Sequence, residues 1–271
     1  MTRTREVPVS FVALEASPML GALVGGTAAA AATAFGAVPA LFARRIEQRT
    51  QDTLLGFGAG VMLAASAFSL VMPGIEAARQ QGAGPWGAGV IVGVAIMLGA
   101  ALIMALDRAV PHEHFIKGPE GRSSARMKRT WLFVFAICLH NLPEGLAIGV
   151  AYAADFAHGT ALATGIAIQD VPEGLVVAVA LIAAGYGRGV AVLVGAGSGL
   201  VEPVGAVLGA GVVAAVPLLL PAGLGFAAGA MLFVVSHEII PESHRQGHEN
   251  HATTGLMIGF VLMMLLDTAL A

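Results

Sequence analysis

The sequence predicts an all-α polytopic membrane protein with eight transmembrane helices and both termini outside the cytoplasm. Three observations predict it. First, 57% of the 271 residues are hydrophobic and only 11% are charged, against roughly 25% charged in a soluble domain; the mean hydropathy is +0.82. Second, apolar runs of about 20 residues, the length that crosses ~30 Å of hydrocarbon, alternate with short polar breaks. Third, the basic residues segregate to alternate breaks. A net charge of -3 leaves no basic face for nucleic acid, and the one cysteine excludes a disulfide framework or a thiolate cluster.

The N-terminus does not read as a secretory signal, since Glu6, Pro8, Glu15 and Pro18 interrupt any apolar core. Spans follow at about 20–42, 53–77, 86–107, 130–153, 159–184, 189–213, 217–242 and 252–271, within a single transmembrane domain over 1–271. The runs are too long and too continuous for β-strands. With the N-terminus outside, the inner segments hold Arg44, Arg45, Arg49, Arg108, Lys117, Arg122, Arg126, Lys128, Arg129, Arg188 and Arg245, and the outer segments only Arg3, Arg5 and Arg79. The positive-inside rule then sets the orientation. The break at about 108–129 carries His112, Glu113 and His114, which read first as a solvated cytoplasmic loop and second as a metal-capture site. Glycines four apart (Gly21/Gly25, Gly89/Gly93, Gly195/Gly199, Gly205/Gly209, Gly225/Gly229 and Gly255/Gly259) predict close helix packing.

Spans four to seven carry Glu144, Asp170, Glu173, Glu202, Glu238 and Glu242, with no Lys or Arg between Arg129 and Arg188 or between Arg188 and Arg245. An acid at mid-bilayer costs about 2.5–3.5 kcal/mol or more. Protonation, histidine, water or a bound cation must offset that cost. Counting ~1.5 Å per residue, His140, Asp170 and Glu202 reach one level near the midplane from three helices.

The spacing adds a pattern. His140-Asn141-Leu142-Pro143-Glu144-Gly145 aligns position by position with Gln169-Asp170-Val171-Pro172-Glu173-Gly174. His140 and Glu144, like Gln169 and Glu173, are one turn apart on one face. Antiparallel helices would turn these faces toward a shared volume, giving a metal site between helices four and five. Pro143 and Pro172 would disturb both helices at this level, as at transporter ion sites. Imidazole and oxygen donors suit Zn²⁺, Fe²⁺, Mn²⁺, Co²⁺ or Cd²⁺. Four carboxylates, if ionised, would balance two divalent ions.

At HNLPEG (140–145), IQDVPEG (168–174) and VEP (201–203) the chain resembles the ZIP (Zrt-, Irt-like protein) family of divalent metal transporters, closest to a bacterial branch. The resemblance extends over all eight expected spans. It implies a binuclear site, with His140, Glu144, Gln169 and Glu173 on one metal and Met62 nearby. Asn141, Asp170 and Glu202 would hold the other, with Glu144 and Glu173 bridging. Many members carry histidine where this chain has Gln169, so one imidazole of the family's donor set is absent and the resemblance does not decide between Zn²⁺ and other divalent ions.

Two further clusters suggest a pathway: Ser69, Glu76 and Asp267 toward the outer mouth, and His237, Glu238 and Glu242 toward the inner side. The HExxP run at 237–241 lacks the second histidine of a zinc protease. The expected activity is import of divalent metal, Zn²⁺ foremost and Cd²⁺ a surrogate, by alternating access; the resemblance implies an elevator-like motion. The expected protein is not an enzyme and needs no cofactor beyond its cargo. Its partners are metal ions and the lipid of a bacterial inner membrane, without nucleic acid, and a homodimer is compatible with it. An intramembrane metallohydrolase or a metal-sensing membrane protein stands as the alternative.

Overall fold

Long apolar runs and small residues build helices that satisfy their own backbone, the solution hydrocarbon demands. The computed structural model describes residues 17–42, 47–109, 112–114, 118–120, 129–183 and 186–270, with only the backbone given for 112–114, 118–120, 129–140 and 183. Arg3, Arg5, Glu15, Arg44 and Arg45 lie outside the described residues, as do the side chains of His112, Glu113, His114, Cys138 and His140.

Eight long helical segments follow in order: α1 (Pro18–Leu41), α2 (Gln48–Gln80), α3 (Pro85–Ala109), α4 (Arg129–Ala154), α5 (Phe156–Ala183), α6 (Arg188–Ala215), α7 (Pro217–Ser243) and α8 (Glu249–Leu270). Seven of them, all except α4, qualify by length and composition as membrane-crossing among the described residues. The protein is thus a polytopic α-helical membrane protein. Between α3 and α4 the polar break contains a short antiparallel pair, His112–His114 with Gly118–Glu120.

The helices associate as α1 with α5, α4 with α6, α2 with α8 and α3 with α7, and α1 also packs on α6. Glycine explains each pairing. Gly36 meets the Val171 carbonyl and Gly174 that of Thr33; Gly145 and Gly149 meet those of Glu202 and Ala206. Gly60 meets the Leu256 carbonyl and Gly259 that of Phe57; Gly229 and Gly99 meet those of Ile96 and Phe226. At every one of these positions a Cβ would fall on the neighbouring backbone, so the crossing distance requires glycine. Gly89 and Gly93 depart from the expected packing, because among the described residues neither has a neighbour within 4 Å where a Cβ would stand. They belong to the outward face of α3, with exposed Val90, Val94 and Met97.

Two expectations about irregular helix change. α4 and α5 run through Pro143 and Pro172 without a break. The interruptions lie elsewhere. α6 breaks at Gly199–Leu200 between Arg188–Ser198 and Val201–Ala215. α2 and α7 each contain a π-helical turn, Ala65–Val71 and Val235–Ile239. Both π turns immediately precede a Met-Pro or Ile-Pro step, at Pro73 and Pro241. Proline lacks the N–H and crowds the carbonyl four residues back, and a widened turn absorbs both effects.

A single residue, Asp155, joins α4 to α5. Its Oδ1 accepts from the backbone N–H of Ala157 (2.7 Å) and His158 (3.1 Å), which makes it the N-cap of α5. Partial burial raises the carboxyl, but the His158 and Ala157 N–H bonds and the His158 ring outweigh it and hold it below the ordinary 3.8. A depressed folded value stabilises the fold above the unfolded pKa and loses that contribution as pH falls through the folded one. Asp155→Ala is therefore expected to cost about 1 kcal/mol near neutrality. The gap to wild type should close below about pH 4, read as melting temperature against pH in detergent.

Candidate metal centre

Three helices bring carboxylates to one buried point. α4 supplies Glu144, α5 supplies Asp170, and Glu202 stands in the first turn after the α6 break. One oxygen from each lies within 4.8 Å of the others. Asn141, Glu144, Gln169, Asp170 and Glu202 are each at most 1% exposed. Gly145 lets the α6 backbone at Glu202 close on α4, and the break frees Glu202 to turn into the bundle.

The amides orient the acids. Gln169 Nε2 donates to Glu144 Oε1, tying α5 to α4. Asn141 Nδ2 donates to Glu202 Oε1 at 3.2 Å, tying α4 to α6. Each amide spends its nitrogen on a carboxylate and turns its oxygen the other way. As a result Asn141 Oδ1, Glu144 Oε2, Gln169 Oε1, Asp170 Oδ2 and Glu202 Oε2 are buried without a hydrogen-bond partner among the described residues. Buried polar atoms are ordinarily satisfied. Five buried acceptor oxygens without donors, on residues whose three carboxylates meet within 4.8 Å, suit a cation, and their hardness suits a divalent one.

The remaining expected residues fall in different places. Glu173, half-buried one turn beyond Gln169, is close enough to act electrostatically on Glu144, Asp170 and Glu202. The side chain of His140 lies outside the described residues, one position before Asn141 on α4. Met62 is fully buried on α2, one turn after Gly58, whose absent Cβ faces Gln169 Oε1. Ser69, in the α2 π turn, donates to Asp267 Oδ1 of α8 at 2.7 Å, while Glu76 is exposed two turns on and accepts from Gln80. The inner cluster divides: His237 is exposed and stacked on Phe233, Glu238 is buried, and Glu242 stands 3.9 Å from Arg245.

Two features escape a reading of depth and spacing. Asp52, wholly buried near the start of α2, accepts from Gln48 and pairs with His248 Nδ1 at 2.8 Å. Thr33 of α1 donates to Glu202 Oε1 at 3.2 Å. Asp52 sits at the edge of a span and Thr33 among alanines and glycines, so neither stands out in the sequence.

Comparison with known proteins identifies the family. The family model for the ZIP zinc transporter matches residues 112–267. This chain belongs to the ZIP family. The zinc transporter ZIPB of Bordetella bronchiseptica is 57% identical over 92% of this chain and 81% of its own length. The zinc transporter GufA of Myxococcus xanthus is 44% identical over 92% and 98%, and human ZIP11 32% identical over 94% and 98%. In this ZIP protein the matched segment contains Asn141, Glu144, Gln169, Asp170 and Glu202; Thr33 and Met62 precede it.

Proposed function

We propose that this ZIP protein imports divalent metal ions, Zn²⁺ foremost and Cd²⁺ as a surrogate, into the cytoplasm of a bacterial cell across its inner membrane. The observation that carries the reading is the set of five buried, unpartnered oxygens around Glu144, Asp170 and Glu202. His140 and Glu173 complete the donors, Met62 closes the site from α2, and two ions share it. Carboxylates and amides hold a metal loosely enough to release it, unlike a closed thiolate site.

The helix pairing supports alternating access. Asn141, Glu144, Gln169, Asp170 and Glu202 all stand on α4, α5 and α6, which pack with α1. Met62 and the Ser69–Asp267 pair stand on α2 and α8. Moving the first group against the second carries the site from the Ser69–Asp267 end toward Glu238, Glu242 and His237. With α4, 26 residues and about 39 Å long, the helices cross eight times, which puts both termini on one side, and the basic breaks make that side the outer one.

Proteoliposomes containing the purified protein and a Zn²⁺-sensitive dye test this. Saturable Zn²⁺ uptake is expected, decreasing at acidic pH as protons compete for the ligand oxygens. Metal binding without flux would identify a sensor instead, and peptide cleavage a hydrolase.

A further inference from the structure

We propose that Thr33 is a positioning residue for the metal centre: its hydroxyl holds Glu202 so that only Oε2 is presented to the ion. The inference rests on the reading of Glu202 as a metal ligand.

A threonine inside a helix ordinarily returns its hydroxyl proton to the carbonyl four residues back. Six other helical threonines do so at 2.6 to 2.8 Å: Thr27, Thr53, Thr160, Thr164, Thr254 and Thr268. In Thr33 the same contact, to Ala29 O, is stretched to 3.3 Å, and Glu202 Oε1 lies at 3.2 Å. The hydroxyl has one proton, and the carboxylate is the stronger acceptor.

The surroundings bring it there. Thr33 is 2% exposed. Its carbonyl faces Gly174 of α5, and its Cβ would lie 3.1 Å from a Cβ at Gly199, in the α6 break just before Glu202. Both glycines admit the α1 backbone to a depth that a side chain would deny. Gly26, two turns earlier on α1, likewise meets Pro203.

The consequence lies in the distribution of bonds on Glu202. Oε1 receives both Thr33 Oγ1 and Asn141 Nδ2, each at 3.2 Å, whereas Oε2 is buried without a partner among the described residues. Two donors from different helices fix the carboxylate plane, which leaves Oε2 as the oxygen of Glu202 free for a ligand in a cluster where Glu144 and Asp170 each bring an oxygen within 4.8 Å. The Nδ2–Oε1 bond likewise fixes the Asn141 amide, which leaves its Oδ1 buried without a partner among the described residues. Partners of this kind order a ligand before the metal arrives.

The test separates hydroxyl from shape. Thr33→Val keeps the volume and removes the donor; Thr33→Ser keeps the donor and removes the methyl. Zn²⁺ affinity is measured on purified protein by titration, and Zn²⁺ uptake in proteoliposomes beside it. Thr33→Val is expected to weaken Zn²⁺ binding about tenfold or more and to raise the KM for uptake, with Thr33→Ser close to wild type in both. Wild-type affinity in Thr33→Val overturns the assignment, as does equal weakening in both variants, which would make Thr33 a packing residue. Should Thr33→Val not fold, Thr33→Ala against Thr33→Ser makes the same comparison, because that pair differs by the hydroxyl alone. Wild type that binds Zn²⁺ without moving it would defeat the import reading and leave the role of Thr33 decided by the titration.

Discussion

Asp170→Ala is expected to abolish Zn²⁺ uptake and yet leave a folded protein whose metal-free form is at least as stable as wild type. Asp170 is buried and its Oδ2 has no hydrogen-bond partner among the described residues. In the apo protein that oxygen has lost its water without a replacement partner among them. Oxygens of Glu144, Asp170 and Glu202 lie within 4.8 Å of one another. Any two of them ionised together repel by about 3 kcal/mol or more at an effective dielectric constant near 20. Removing one acid removes its share of the desolvation cost and of any such repulsion, and the cavity left by so short a side chain is small. With metal present the balance reverses. Zn²⁺ raises the melting temperature of wild type by mass action, and the variant loses that rise along with uptake. The loss of transport should exceed the about 10- to 100-fold that removing an outer partner of a ligand costs. Glu144→Ala should behave alike. Wild-type uptake, or an undiminished Zn²⁺-dependent melting shift, in either variant would refute the assignment of the centre.

This pairing of charge with depth is legible in the amino-acid sequence. Counted from Arg129 and Arg188, His140, Asp170 and Glu202 come to the middle third of the membrane, and Glu144 lies one turn beyond His140 on the same face. The convergence of Glu144, Asp170 and Glu202 to within 4.8 Å follows from that register and the glycine crossings at Gly145 and Gly149. Helix placement is legible for the same reason, since the apolar runs and Arg/Lys-bearing breaks delimit it. What depth and spacing do not convey is rotation and local strain. Pro143 and Pro172 are the natural breaks by sequence, yet the helix continues through them, and the irregular turns gather before Pro73 and Pro241 and at Gly199. A proline removes one donor wherever it stands; whether the helix widens depends on what neighbours press against it. Thr33 escapes notice for a related cause. Nothing separates TAAAAATAF from any small-residue helix until α6 is seen to break beside it. Gly89 and Gly93 show the converse, a spacing shared with the crossing glycines but on a face that no described residue approaches within 4 Å of a Cβ.

That contrast carries the second large effect. Gly36→Ala and Gly229→Ala are each expected to destabilise the protein at or beyond the upper end of the about 1–3 kcal/mol range for overpacking, while Gly89→Ala should leave the melting temperature unchanged or raise it slightly. A Cβ at Gly36 would fall on the Val171 carbonyl, and one at Gly229 on that of Ile96. Neither obstacle is a side chain that can rotate away, so two whole helices must part. The two damaged variants should then differ in function. Gly36 and Val171 join α1 to α5, the helices that carry Thr33, Gln169 and Asp170, so separation there spreads the donors, and Zn²⁺ affinity falls with stability. Gly229 and Ile96 join α7 to α3, neither of which supplies Asn141, Glu144, Gln169, Asp170 or Glu202. Protein of that variant that remains folded should bind Zn²⁺ as wild type does while its melting temperature drops. Equal loss of affinity in both would mean that the two helix groups are not separable mechanical units, and would tell against movement of one past the other. Unchanged melting in both would show that the crossings are looser than their carbonyl contacts require.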